Sequence, residues 1–235
     1  MNSQISIILV HGFWSCASQW SKVIIELARK GSASIQAVDL PLTSLADDSE
    51  RTRKMIKAIN GPVLLVGHSY GGAVISEVGN LPNVTGLVFI AAFAPDAGES
   101  AASITHAAPP KALPNLVQDN DDYLWIDRDK FQESFCQDLS AVDAFVLGAT
   151  QKAPLASTFT DVVTNPAWRW KPSWYQISSE DRMISPENQI QMVSKINPFM
   201  TIRLHTSHAS LLSSPMEVAE FIHSAALQSA KNVVR

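Results

Sequence analysis

The pentapeptide Gly67-His68-Ser69-Tyr70-Gly71 closes the apolar run Val63-Leu64-Leu65-Val66 and leads into a stretch with helical spacing. A Gly-x-Ser-x-Gly placed at a strand-to-helix turn forces its serine into a strained conformation, and the glycines remove the bulk that would keep the turn from closing. The chemistry this serves is nucleophilic attack by the hydroxyl. The following helix aims its N-terminal amides at the place where an oxyanion would form.

A serine hydroxyl is a weak nucleophile at neutral pH, so it needs a base, and the base needs an orienting acid. Of the six histidines, His11 and His68 sit in turns beside Gly12 and Ser69 and read as structural, and His106 and His223 have no motif around them. His205 and His208 both follow the last apolar run, in "TIRLHTSHASLL". His208, farther into the loop, is the candidate base. The acid is expected between serine and histidine in chain order, where "SSEDRMIS" offers Glu180 and Asp181. Asp181, nearer the loop tip, is preferred, and Asp39 in "AVDLP" stands in the wrong chain position. The order Ser69, Asp181, His208 is that of a nucleophile-elbow hydrolase. For the oxyanion, the Tyr70 amide is one donor and the Phe13 amide, after the His-Gly turn of "LVHGFW", is the other. The rival reading is that His11-Gly12 merely closes a strand-to-helix turn.

These residues need a scaffold that brings several loops to one edge. Short apolar runs recur at residues 5–10, 35–38, 63–66, 87–91, 174–177 and 201–204. Continuous runs of this length suit strands of a parallel sheet buried on both faces. Between them lie segments of helical period: Trp20, Val23, Ile24, Leu27 and Ala28 make one apolar stripe, and Ser214, Pro215 and Glu217 mark a capped helix start. An α/β class with right-handed crossovers follows. The spatial order expected for the runs begins with the one at 35, then 5, 63, 87, 174 and 201. The alternation breaks at residues 95–174, which read as an insertion over one sheet edge. The acid run between Asp119 and Asp129 reads as a solvated face, since it lacks the ligand pattern of a calcium loop.

The 235 residues are 46% hydrophobic and 17% charged, which suits one globular domain. A net charge of -4 gives no basic footprint for nucleic acid or an anionic membrane. No run reaches the roughly 18 apolar residues of a membrane span, and the N-terminus has no secretory pattern. Cys16 and Cys136 match no metal-ligand spacing and suit reduced thiols in the cytoplasm.

Six blocks, "LVHGFW", "VDLPLTSLADD", "GPVLLVGHSYGGAVI", "FIAAFAPDAGES", "PSWYQISSEDRMISPE" and "SHASLLSSPMEVAEFI", resemble in order and spacing the α/β-hydrolase superfamily, specifically its small single-domain branch of plant methyl-ester esterases and hydroxynitrile lyases. The resemblance implies a six-stranded parallel sheet with flanking helices and a small helical cap from about 101 to 166. It also implies a Ser-His-Asp esterase that needs neither metal nor other cofactor. The lyases of this branch look different, with Thr in the place of Gly12 and Lys where Ala209 follows His208, so lyase activity is the lesser alternative. A small-molecule receptor of the same fold is the main alternative. The expected substrate is a small, largely apolar ester, with Phe13, Trp14, Trp125 and Phe159 as candidate pocket residues. The oligomeric state stays open, a homodimer included.

Overall fold

The computed structural model describes residues 5–32 and 34–233. Residues 1–4, on which the expectation of no secretory pattern rests, lie outside the described residues. The chain runs β1 (Ser6–Val10), α1 (Ser21–Arg29), β2 (Ile35–Val38), α2 (Leu45–Lys57), β3 (Val63–His68), α3 (Gly71–Val78) and β4 (Val84–Ile90). An insertion then carries α4 (Ala101–Ala107), β5 (Leu116–Gln118), β6 (Leu124–Ile126), α5 (Phe131–Phe135) and α6 (Ala141–Ala149). The sheet resumes with β7 (Ser173–Ser178), α7 (Pro186–Ile196), β8 (Met200–Leu204), α8 (Ser210–Ser213) and α9 (Pro215–Val233).

Six strands form one sheet in the order β2-β1-β3-β4-β7-β8, the order expected from the apolar runs, and every pairing within it is parallel. The unbroken apolar runs feed two cores, because successive side chains of a strand point to opposite faces. Ile8, Val10, Leu65, Phe89 and Tyr175 pack with Ile56 of α2, Val74 and Ile75 of α3 and Met192 of α7. Ile7, Leu9, Leu64, Val66, Val88 and Trp174 pack with Val23 and Leu27 of α1 and Val218 and Ile222 of α9. The stripe expected on α1 is narrower than its spacing suggests: Trp20, Val23 and Leu27 are buried, whereas Ala28 is exposed. Helix α9 begins at Pro215, as its start signal predicts. Only the backbone bond from Val218 N–H to the Ser214 carbonyl forms there, and among the described residues no side-chain bond joins Ser214 to Glu217.

Register carries the sheet's positioning power. Val10 pairs with both Val38 and Gly67, His68 with Ile90, and Ile90 with Gln176, so the strands end at one level and their following loops share one edge. The switch in strand order falls between β1 and β3, beside which a crevice opens in folds of this kind.

The insertion is not helical throughout. Leu116–Gln118 and Leu124–Ile126 pair antiparallel around the acidic stretch, which is therefore a hairpin turn as well as a solvated face. One oxygen of the Asp119 carboxylate accepts the amides of Asp121 (3.0 Å) and Tyr123 (2.9 Å), and Asp122 takes a left-handed φ of 65°. No helix among the described residues is long and apolar enough to cross a membrane.

The turn between β3 and α3 leaves no room for added atoms. A Cβ on Gly71 would lie 2.4 Å from the Val10 carbonyl oxygen, and one on Gly67 would lie 2.6 Å from the Gly71 carbonyl carbon. Gly71→Ala is therefore expected to cost about 1–3 kcal/mol by overpacking, which lowers Tm by roughly 2–12 °C in a chain of this size. Calorimetry that finds the variant as stable as the parent contradicts this packing.

Candidate active site

Ser69 is the first residue beyond β3, and its φ of 55° puts a non-glycine residue in the left-handed region. The turn is locked from both sides: the Ser69 carbonyl accepts the amides of Gly72 (3.0 Å) and Phe93 (3.0 Å), and its own amide donates to the Ile90 carbonyl (3.3 Å). The loop after β1 comes so close that a Cβ on Gly12 would lie 2.5 Å from the Ser69 Cβ. Glycine at position 12 thus brings Phe13 beside Ser69. Among the described residues neither the Phe13 nor the Tyr70 amide is spent on a hydrogen bond, so both are available as donors.

His208, in the loop between β8 and α8, is fully buried, and its Nδ1 lies 2.7 Å from Asp181 Oδ2 in the loop between β7 and α7. Three further N–H groups converge on the same carboxylate: the amides of Met183 (2.8 Å) and Ile184 (3.0 Å) at Oδ1 and Gln189 Nε2 (2.9 Å) at Oδ2. With acceptors alone facing Nδ1, the proton of the neutral ring is assigned there, which leaves the Nε2 lone pair free. Among the described residues Nε2 has no hydrogen-bond partner, Ser69 Oγ included. Hydrogen bonds of this kind are often long before substrate binds. The competing residues fall elsewhere. His205 is exposed and faces Glu180 at 3.5 Å, and His11 accepts the Leu40 amide at Nε2 (2.9 Å).

The aromatic candidates divide. The Phe13 ring stacks on Tyr70 at 4.0 Å and on Phe159 at 5.0 Å, and Trp14 meets the edge of Phe13 at 5.7 Å. Trp14 Nε1 also donates to the Leu124 carbonyl (2.7 Å), so this stack ties the insertion to the loop after β1. Trp125 does not join it. Its neighbours Leu124 and Ile126 face the core, which turns Trp125 to the other side of the ribbon, where Nε1 donates to the exposed Asp119 (2.7 Å).

Several supporting residues carry no local signal. His68 Nε2 donates to the His208 carbonyl (2.8 Å), and the two rings lie 4.6 Å apart. Burial holds the His68 imidazole well below its ordinary pKa and therefore uncharged, which suits it for that single donor role. Phe135 of α5 stands perpendicular to the His208 ring at 5.0 Å. Asp138 accepts the Ser207 amide (2.9 Å), Gln137 donates to the Glu180 carbonyl (2.6 Å) and Arg182 donates to the Glu133 carbonyl (2.9 Å). One segment of the insertion therefore clasps both the acid loop and the base loop. Asp48 of α2 is a second fully buried carboxylate, accepting the Leu42 amide (2.8 Å) and the Tyr70 hydroxyl (2.8 Å).

A model of the family described as "Alpha/beta hydrolase family" matches residues 7–221. The chain is 28% identical over 201 residues to alpha/beta hydrolase nvfD of Aspergillus novofumigatus, covering 79% of this chain and 80% of that protein. It is 31% identical over 143 residues to methylesterase 7 of Arabidopsis thaliana, covering 54% and 51%. The fold superposes on the crystal structure of a pyrethroid hydrolase from Sphingobium faniae with a TM-score of 0.81 at 21% identity, covering 94% of this chain and 97% of that one.

Burial pushes the Asp48 carboxyl up from 3.8 to about 6, against the opposing pull of its two hydrogen bonds. Between those values the native state holds a proton that the unfolded chain has released, so the stability owed to this group falls as pH rises and levels off above about 6. In denaturant titrations, the stability of the parent relative to Asp48→Asn is expected to decline from pH 4 to about 6 and then stay constant. A difference that does not vary with pH contradicts the buried carboxylate.

Proposed function

The chain belongs to the alpha/beta hydrolase family, and from that premise we propose that it is a serine carboxylesterase acting on a small, uncharged, largely apolar ester. The observation that carries the reading is the fully buried pair of His208 Nδ1 and Asp181 Oδ2 at 2.7 Å, with a free Nε2, in loops that share the sheet edge with the strained Ser69. In this reading Ser69 Oγ attacks the ester carbonyl as its proton passes to His208 Nε2, and the charge left on the carbonyl oxygen is received by the amides of Phe13 and Tyr70. Collapse expels the alcohol, which takes the proton from His208. Water then enters by the same route, giving a proton to His208 Nε2 as it attacks the acyl carbon, and His208 returns that proton to Ser69 Oγ as the acid is released. Asp181 orients the imidazole and stabilises its charged form without becoming protonated itself.

The neutrality of the substrate rests on burial. Among the described residues no Lys or Arg is buried, so no interior cation stands ready for an anionic ester group, while the stack of Phe13, Trp14 and Phe159 offers an apolar wall. The similarity to methylesterase 7 agrees with ester cleavage. The chain works as one domain with residues 101–166 as its cap, and its two free thiols, Cys16 and Cys136, suit the cytoplasm.

The test is steady-state hydrolysis of p-nitrophenyl acetate. Multiple turnovers are expected, with Ser69→Ala and His208→Gln lowering kcat/KM by at least about 10³-fold. Asp181→Asn should lower it on the order of 10³- to 10⁴-fold, whereas Glu180→Gln stays within about twofold. A single burst that leaves Ser69 acylated, without turnover, overturns the esterase in favour of a ligand receptor.

A further inference from the structure

The mechanism above makes no use of Asp48, and stability alone does not call for it. A buried carboxylate without a cationic partner costs the fold several interactions with water, and an apolar pair of similar volume fills a core more cheaply. Its two oxygens hold the Leu42 amide and the Tyr70 hydroxyl, both at 2.8 Å. Tyr70 is thereby anchored at both ends. Its backbone forms the first turn after Ser69, and its hydroxyl is pinned to α2, while the face of its ring lies on Phe13 at 4.0 Å with the planes 14° apart. Phe13 and Tyr70 are the two residues whose free amides flank the nucleophile.

We propose that Asp48 is a positioning residue for the oxyanion hole: through the Tyr70 hydroxyl and the Tyr70–Phe13 ring stack it holds both oxyanion donors in register with Ser69. The proposal rests on the esterase reading above. Oxyanion donors must already lie where charge develops, because a donor that has to move during reaction loses much of its electrostatic advantage. A stack of two rings resists compression but slides in its own plane, so it needs a fixed end, and the carboxylate supplies one. Asp48 also accepts from Leu42, whose φ of 64° is left-handed and whose carbonyl receives the Leu155 amide (3.0 Å) of the insertion. The same carboxylate therefore ties the oxyanion loop to the segment that covers it. The other titratable groups acting on Asp48 are His11 at the end of β1, which favours its ionised form, and Asp47 beside it on α2, which opposes it. Asp161 of the insertion acts on Tyr70.

Two variants test this with little change of volume. Tyr70→Phe removes only the anchoring hydroxyl, and Asp48→Asn keeps an acceptor for Leu42 while weakening the hold on Tyr70. Each is assayed with p-nitrophenyl acetate and with an aryl trifluoromethyl ketone. That ketone takes Ser69 Oγ onto its carbonyl carbon, sends the Ser69 proton to His208 Nε2 and leaves an oxyanion in the hole. The expected result is a loss of about 10- to 100-fold in kcat with KM within about threefold. The inhibition constant of the ketone should rise by the same factor as kcat falls, and the double variant should be no worse than the poorer single one. Rates are taken per active site, counted by stoichiometric fluorophosphonate labelling, so a merely unfolded fraction does not enter. Variants that keep kcat and ketone affinity within about twofold of the parent while Ser69→Ala is inactive overturn the role of Asp48 alone. An active Ser69→Ala overturns the esterase reading and this proposal with it.

Discussion

Ser69 occupies a backbone conformation that costs a non-glycine residue of order 1–3 kcal/mol, and much of the structure is arranged to hold it there. The restraint is geometric. Strands β3 and β4 pair up to His68 and Ile90, so the chain enters the turn with no slack, and the Ser69 carbonyl then accepts two amides, from Gly72 and Phe93, on either side of it. The end of β1 packs against the turn at Gly71, where no side chain fits. The strain survives because three strands and a helix over-determine it, and it is what lifts the hydroxyl out of the sheet plane.

The same edge collects the other groups by a different means. Asp181 and His208 come from the two loops beyond β7 and β8, which ordinary loop freedom would leave to wander. Four N–H donors fix the Asp181 carboxylate, His68 fixes the His208 backbone from below, and the Phe135 ring stands against the imidazole from the insertion. Leaving a buried hydrogen-bonding group without its partner typically costs about 1–3 kcal/mol, so each loop helps to hold the other. The bonds from Gln137 and Asp138 to those loops make the insertion part of the site's framework as well as its cover.

Two buried carboxylates thus serve one edge in contrasting surroundings. Asp181 faces the His208 imidazole and is ringed by N–H donors. Asp48 meets one amide and one phenol, and burial outweighs them, which pushes its carboxyl up to about 6. The first environment satisfies its carboxylate with four hydrogen bonds. The second holds an anion at the expense of stability, and what it holds is Tyr70, the residue beside Ser69.

How much of this was legible in the chain depends on the range of each interaction. The runs at residues 63–66 and 174–177, the elbow at Gly67 to Gly71 and the preference for Asp181 over Glu180 follow from local sterics, periodicity and chain order, and those determine the α/β class and the neighbourhood of the nucleophile. Strand order was readable too, because parallel pairing with right-handed crossovers leaves few arrangements. What the tertiary structure alone decided joins residues far apart in the chain. His68 meets the carbonyl of His208, 140 positions away, and Asp48 meets Tyr70 across two elements. Trp125 turns outward because its ribbon buries the alternate residues, which a three-residue strand is too short to announce. The sequence by itself determined which residue types could do the chemistry and which turn carries the strain. Burial and packing against distant segments decided which histidine is held neutral and which aromatic rings meet, because those depend on what surrounds each group rather than on what it is.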